Sequence, residues 1–319
     1  MKKKIILVFG DPNSINSEII FKSWNKLSDQ LKKRIYLVAN YDLILSQFKN
    51  LNYKINCILV KNIYEKQNNK NLKIINIDIR FKNPFLVPKK ESSLFIRKSL
   101  NFAHKLALGS NVAGLINCAV NKNLLSNKNI GVTEFLSKKS RIKKNTEIMM
   151  IYNKKLSVVP ITTHINLKQV SSKISKSLIF NKILNLRSCF KKNFGIDPKI
   201  AVLGLNPHNG EMRKNTEEVK KIIPAIKNLK NLKLKIEGPL VADTIFINDF
   251  KNYDIIVGMY HDQILGPFKA LFKFDAINIT LGLKYLRTSP DHGTASNLIG
   301  KNKANPESLI KCINFISKF

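Results

Sequence analysis

Acid is what this chain is shortest of. Asp and Glu number 21 against 55 Lys and Arg, so the formal net charge is +34. Such a balance can mark a nucleic-acid-binding surface. Here lysine is spread over almost every segment, and clusters such as Lys138-Lys139 and Lys143-Lys144 lack an interleaved aromatic platform. A diffuse solvated surface is expected instead, attractive to anionic substrates and cofactors, with nucleic acid not expected as a partner. Cysteine is also sparse. Cys57, Cys118, Cys189 and Cys312 form no C-x-x-C pair, which argues against a zinc-thiolate site and for reduced thiols. No apolar run approaches the roughly 20 residues that span a bilayer, so no membrane is expected. The basic start at residues 1–4 mimics a signal peptide, but its apolar part, residues 5–9, runs straight into Gly10-Asp11-Pro12. A secretory core needs roughly 7–15 apolar residues, so a buried first strand and a cytoplasmic location are expected. No G-x-G-x-x-G follows a predicted strand, so the usual dinucleotide fingerprint is missing.

What is present reads as an α/β protein. The 319 residues allow one large or two medium domains, and an apolar fraction of 44% is enough for a sizeable core. Apolar runs of strand length fall at 5–9, 35–39, 55–60, 72–77, 113–119, 147–152, 156–161, 200–205, 255–259 and 276–281. Helix-length amphipathic segments fall at 17–32, 91–108, 167–193, 217–228, 242–250 and 306–319. The alternation predicts a mostly parallel sheet covered on both faces. Pro224 inside the 217–228 stripe predicts a kink or break, Gly195 a helix stop, and the polar stretch 64–71 an exposed loop.

Three of the five histidines sit in short polar segments just after apolar runs. They are His164 in Ile161-Thr162-Thr163-His164, His208 in Asn206-Pro207-His208-Asn209, and His261 in Tyr260-His261-Asp262-Gln263. Open α/β sheets place ligands at strand ends. Three neutral imidazoles converging there would hold a divalent metal with open positions, while singly each reads as a surface or packing residue. Thr163, Asn206 and Asp262 are placed to orient the rings. A second group is Lys269, Asn278 and Arg287. Asn278 interrupts an apolar run, and Arg and Lys suit phosphate or carboxylate; the plainer reading is a surface Lys, a strand-end Asn and an ion-paired Arg. A third is Asp291-His292-Gly293-Thr294-Ala295, followed by Ala304-Asn305-Pro306, which by itself reads as a capping turn.

Taken jointly, these residues resemble the 4-hydroxythreonine-4-phosphate dehydrogenase family of pyridoxal phosphate biosynthesis. The likeness runs nearly end to end. It is carried by Gly10-Asp11-Pro12 with Glu18-Ile19, by Thr133-Glu134-Phe135, and by the segments 162–164, 204–211, 238–244, 259–263, 278–283 and 287–295. The resemblance implies the fold of the isocitrate and isopropylmalate dehydrogenases, two α/β/α domains flanking a cleft. A cofactor-side domain over 1–130 plus 292–319 and a metal, substrate and dimerisation domain over 131–291 are expected. It implies NAD-dependent oxidation of the C3 hydroxyl of 4-phosphooxy-L-threonine, then loss of CO₂ to give 3-amino-2-oxopropyl phosphate. It implies His164, His208 and His261 as metal ligands contributed across a homodimer. Zinc is the first candidate, with cobalt or magnesium as alternatives. It implies Thr133, Lys269, Asn278 and Arg287 as substrate contacts. His292, Gly293, Thr294 and Ala295 would form a loop for the adenosine end of NAD, with NADP as alternative. Asp243, Asp262 and Lys269 are candidates for ligand orientation, proton relay or acid/base work, a choice the sequence leaves open.

The chain departs from the family pattern at four places. Val132 stands where the family has a substrate-contacting His. Ser14 and Asn16 replace two glycines. Residues 117–122 read Asn-Cys-Ala-Val-Asn-Lys, and the glycine-rich stretch after Glu211 is shortened to Met212-Arg213-Lys214-Asn215. Two alternatives follow: a paralogue that oxidises another phosphorylated hydroxy acid, and a catalytically silent, basic nucleic-acid-binding protein.

Overall fold

The computed structural model describes residues 2–65, 70–125, 131–140, 147–273 and 275–319. It divides into two compact units, Met1–Ser140 with Leu283–Phe319, and Arg141–Gly282. The sequence placed that division at 130/131 and 291/292. The shift puts helix Val132–Lys139 and the strand at 287–290 in the first unit, because that strand lies in register beside 115–116. Lys143-Lys144 and part of the 64–71 loop fall outside the described residues.

The first unit holds strands β1 (Lys4–Val8), β2 (Ile35–Ala39), β3 (Cys57–Val60), β4 (Leu72–Asn76) and β5 (Val112–Asn117), joined by β12 (Arg287–Pro290). Their order is β3-β4-β2-β1-β5-β12, and every pair is parallel. Successive residues of β1, β2 and β5 are buried, as both-face coverage requires. Several charged side chains lie in this interior, among them a lysine on β4. Lys73 on β4 is fully buried, its Nζ donating to the Lys32 carbonyl at 3.2 Å and lying 5.5 Å from the Tyr36 ring centroid. Burial pulls its pKa down to about 8.

The second unit holds β6 (Ile148–Tyr152), β7 (Ser157–Pro160), β8 (Ile200–Leu203), β9 (Ile236–Leu240), β10 (Ile255–Gly258) and β11 (Ile277–Leu281). Their order is β11-β6-β7-β10-β8-β9. β6 is antiparallel to both neighbours, and the rest are parallel. This positions the site: β7, β10 and β8 are adjacent and point the same way, so their C-terminal ends deliver three polar loops to one edge. Val158, Ala201, Ile256, Ile264 and Phe268 share the core beneath them.

The α/β fold and all ten expected strands are present, together with β9 and β12. Helix boundaries differ more. The expected helix at 242–250 is not formed; the segment runs through turns into a short 3-10 turn, Asp249–Asn252, although Ile245, Phe246 and Phe250 are buried. The helix at 17–32 is broken at Leu27-Ser28. The long one at 167–193 is broken at Ile174, where Ser175 starts helix Lys176–Phe194 by accepting the Leu178 N–H. Gly195 ends that helix in the left-handed region, as expected. Before Pro224 the backbone takes a π turn, Glu218–Ile222, and helix Ile223–Asn231 follows. Among the described residues no helix is long and apolar enough to cross a membrane.

Candidate active site

The loops after β7 and β10 are tied together by backbone bonds. The Ile161 N–H donates to the Gly258 carbonyl at 2.8 Å, and the Thr162 N–H and Oγ1 both donate to the Met259 carbonyl, at 3.1 and 2.7 Å. Buried Lys182 donates to the Ile161 carbonyl at 2.9 Å. His164 follows on the first loop. His261 opens helix His261–Phe272, an element the sequence reading did not expect. The two rings lie 5.5 Å apart, centroid to centroid. His261 Nδ1 and Asp262 Oδ1 are 2.8 Å apart, a carboxylate–histidine pair that leaves Nε2 as the ligating nitrogen.

The loop after β8 is built differently. His208, Asn209, Gly210, Glu211 and Met212 all have φ between 49° and 59°. A left-handed turn of mostly non-glycine residues costs roughly 1–2 kcal/mol at each, so its surroundings must dictate it. The Asn209 side chain donates to the Pro239 carbonyl at 3.0 Å, and its oxygen packs so tightly on Gly204 that a Cβ there would overlap it. Gln263 connects this loop to the others. Its Oε1 accepts the Met259 N–H at 2.7 Å and its Nε2 donates to the Gly204 carbonyl at 2.6 Å. His208 itself is exposed. A pocket of about 530 Å³ opens beside it, lined among others by Asn206, Glu211, Arg213, Lys214 and Glu217.

His164 and His261 therefore come together, and His208 does not join them. Among the described residues, no three His, Cys, Asp or Glu side chains form a set able to hold a metal ion. Asp243 is exposed in the turns after β9, and Lys269 lies on the His261 helix, about two turns further on. Asn278 on β11 has its Oδ1 buried with no hydrogen-bond partner among the described residues, an atom ready for a donor.

Two more candidates meet in the first unit. Arg287 on β12 is buried, its Nε donating to Asn117 Oδ1 at 2.7 Å and its Nη1 to Thr133 Oγ1 at 3.1 Å. Burial pulls the guanidinium pKa down to about 10, against the opposing pull of Tyr285, Cys312 and Glu134. Val132 is the first residue of the Thr133 helix. In the 292–295 loop, the Thr294 carbonyl accepts the Ile15 N–H at 3.1 Å, His292 Nδ1 lies 2.8 Å from the Gly293 carbonyl, and His292 Nε2 is buried without a partner among the described residues. Ala295 is in the left-handed region.

Sequence reasoning assigned no role to Glu18, Lys22, Glu218 or Gln263. Glu18 is buried and accepts from the Ala304 N–H at 2.8 Å and from Lys22 Nζ at 2.7 Å; Lys22 in turn holds the Asn302 and Ala304 carbonyls at 2.9 and 3.0 Å. Their partners lie hundreds of residues away in the chain, beyond the reach of spacing. Gln263 and Glu18 stood inside the motifs quoted for the family likeness, which was the one available signal.

Comparison with known proteins gives the family. The 4-hydroxythreonine-4-phosphate dehydrogenase of Aquifex aeolicus is 37% identical over 320 residues, covering 99% of this chain and 98% of the relative. That of a Sulfurihydrogenibium species is 38% identical over 329 residues, covering 97% and 96%. The crystal structure of the Klebsiella pneumoniae 4-hydroxythreonine-4-phosphate dehydrogenase superposes with a TM-score of 0.85 at 29% identity, covering 100% of this chain and 99% of that one. The family model described as "Pyridoxal phosphate biosynthetic protein PdxA" matches residues 30–316, and the chain belongs to that family.

Proposed function

We propose that this chain is the NAD-dependent dehydrogenase that oxidises and decarboxylates 4-phosphooxy-L-threonine, giving 3-amino-2-oxopropyl phosphate, as a cytoplasmic homodimer whose active sites are shared. The observation that carries it is the arrangement of the histidines. Three adjacent parallel strands deliver one each, two rings pair, and the third stands exposed on a rigid turn apart from them. A His164–His261 pair from one copy and His208 from another would complete a three-imidazole set. The donor chemistry fits zinc, with cobalt or magnesium as the other candidates: neutral imidazoles, one of them backed by a carboxylate. When bound, the ion supplies Lewis acidity at the substrate hydroxyl and at the oxygen that takes up charge when CO₂ leaves.

The chain's own residues do the rest. Asp262 fixes the His261 ring. Buried Arg287, braced by Asn117 and Thr133, supplies positive charge toward an anionic substrate. Asn278 Oδ1 accepts from a substrate donor. Lys269 supplies positive charge or moves the proton, with Asp243 as the other candidate. The loop at His292, Gly293, Thr294 and Ala295 carries the adenosine end of NAD, or of NADP, and its neighbour at 302–304 is held by Glu18 and Lys22. Assaying the purified protein with the threonine phosphate and NAD, with and without chelator, tests this reading. NADH and CO₂ formation that chelator stops and zinc restores is expected; no turnover in the zinc-loaded protein overturns it. Val132 favours a second reading, oxidation of a different phosphorylated hydroxy acid, which rests on turnover of that substrate with none of the threonine phosphate.

A further inference from the structure

We infer that Glu218 is the positioning residue for His208, holding its strained turn in the shape that presents the imidazole to a metal. The inference rests on the histidine reading above. Glu218 is fully buried, and the hydrogen bonds it receives come from the residues just ahead of His208. Its Oε1 accepts the Leu205 N–H at 2.7 Å and the Asn206 N–H at 2.8 Å, and its Oε2 accepts from Asn206 Nδ2 at 2.9 Å. Burial works against the charge, but these bonds from Asn206 and Leu205 outweigh it and hold the carboxyl below its ordinary value. A Cβ on Gly204 would come within 3.1 Å of Oε1, and one on Gly210 within 3.3 Å of Oε2. The carboxylate therefore sits against the approach to the turn, at Gly204, and against its middle residue, Gly210.

The physical argument is one of over-determination. A buried carboxylate is expensive unless its oxygens are saturated with donors. Here the donors are the amides of Leu205 and Asn206, which lead into the turn, so the carboxylate fixes the point from which the turn starts. The left-handed residues that follow would relax toward right-handed or extended backbone without such a hold. His208 lies two residues past Asn206 and would move with them. Neighbouring Glu217 reinforces the hold, accepting from Asn206 Nδ2 at 2.9 Å and from the Ser171 hydroxyl.

Side-chain length separates this role from a mere need for buried charge. Glu218→Asp keeps the charge but is one methylene too short to reach the turn. Glu218→Gln loses the charge but keeps an acceptor at full reach for the Leu205 and Asn206 amides. Zinc affinity, measured by chelator competition on full-length protein of confirmed fold and dimeric mass, should fall about 10–100-fold in Glu218→Asp. In Glu218→Gln it should stay within about fivefold of the parent. Amide exchange at Leu205 and Asn206, measured without metal, should follow the same order. Wild-type affinity in Glu218→Asp, or a loss in Glu218→Gln as large as in Glu218→Asp, overturns the inference. Failure of the histidine reading looks different: the parent binds no zinc, or His208→Ala retains it, while the exchange order still reports whether Glu218 holds the turn.

Discussion

The two units solve one problem in two ways. Each carries a loop held by a buried glutamate, Glu18 from 286 residues away and Glu218 from 12–13 residues away. In the first unit Glu18 is paired with a cation, and the Glu18–Lys22 pair takes both the N–H and the carbonyl groups of residues 302–304. In the second, the bonds to Glu218 from Leu205 and Asn206 come from uncharged amides, and the turn that follows has four non-glycine residues in the left-handed region. Both pinned segments contain left-handed backbone, at Asn302 in the first unit and at His208, Asn209, Glu211 and Met212 in the second. The second holds the longer strained run, so it depends more on its surroundings. Damage to the second unit should therefore remove function abruptly, and damage to the first should weaken binding gradually.

The largest effect tests the second unit. His208→Ala should abolish zinc binding and lower kcat/KM by at least about 10³-fold with the circular dichroism spectrum unchanged, since it removes a ligand and not a core contact. Next is Gln263→Leu, which cuts the link between the ends of β10 and β8 and leaves the Met259 N–H and the Gly204 carbonyl without their partner. Zinc affinity should drop by about 10–100-fold, and unchanged affinity would show that the loops hold their places without it. In the first unit, Glu18→Gln keeps an acceptor for Ala304 but loses the pairing with Lys22. The KM for NAD should rise by about 3–10-fold, in line with roughly 1 kcal/mol for one weakened charge-assisted bond, with kcat little changed. A fall in kcat at constant KM would place the first unit's loop in the chemical step.

The smallest effect concerns stability alone. The Lys73 pKa is lowered from 10.5 to about 8 by burial. The folded state thus disfavours the charged amine, a penalty present below pH 8 that fades as the pH rises from 8 to 10.5. The parent should gain stability over that window. Lys73→Met should be more stable at pH 7 by on the order of 1–2 kcal/mol and show a flatter profile there, read by denaturant melts at several pH values. An equal rise in both proteins would assign the effect elsewhere.

Much of this was legible in the sequence where structure is local and apolar. The ten expected strands are mostly apolar runs, and each contains a strand. β9 was hidden by Gly238 and Pro239, which read as a turn, and β12 by its composition, Arg-Thr-Ser-Pro, which has no apolar residue yet is buried throughout. The helix at 261–272 was masked by its polar opening and by Gly266-Pro267. Residues 242–250 misled in the opposite sense: their apolar side chains are buried, but by turns. The same division runs through the site. Histidines at strand ends could be read from the chain because strand order decides where they go. Glu218 and Gln263 could not, because their importance lies in which backbone groups the folded loops bring to them. Nor did the sequence show by itself that His208 stands apart from the other two.

The account's central claim is that one catalytic site takes histidines from two copies of the chain. Mixing addresses it directly. His164→Ala and His208→Ala are each expected to be inactive and zinc-free. Co-expressed as a mixed dimer, they leave one of the two sites with all three parental histidines, so zinc binding and turnover should return to about a quarter of the parental level after random pairing. If every site were built within one chain, the mixture would stay as inactive as its components, and that result would contradict the account.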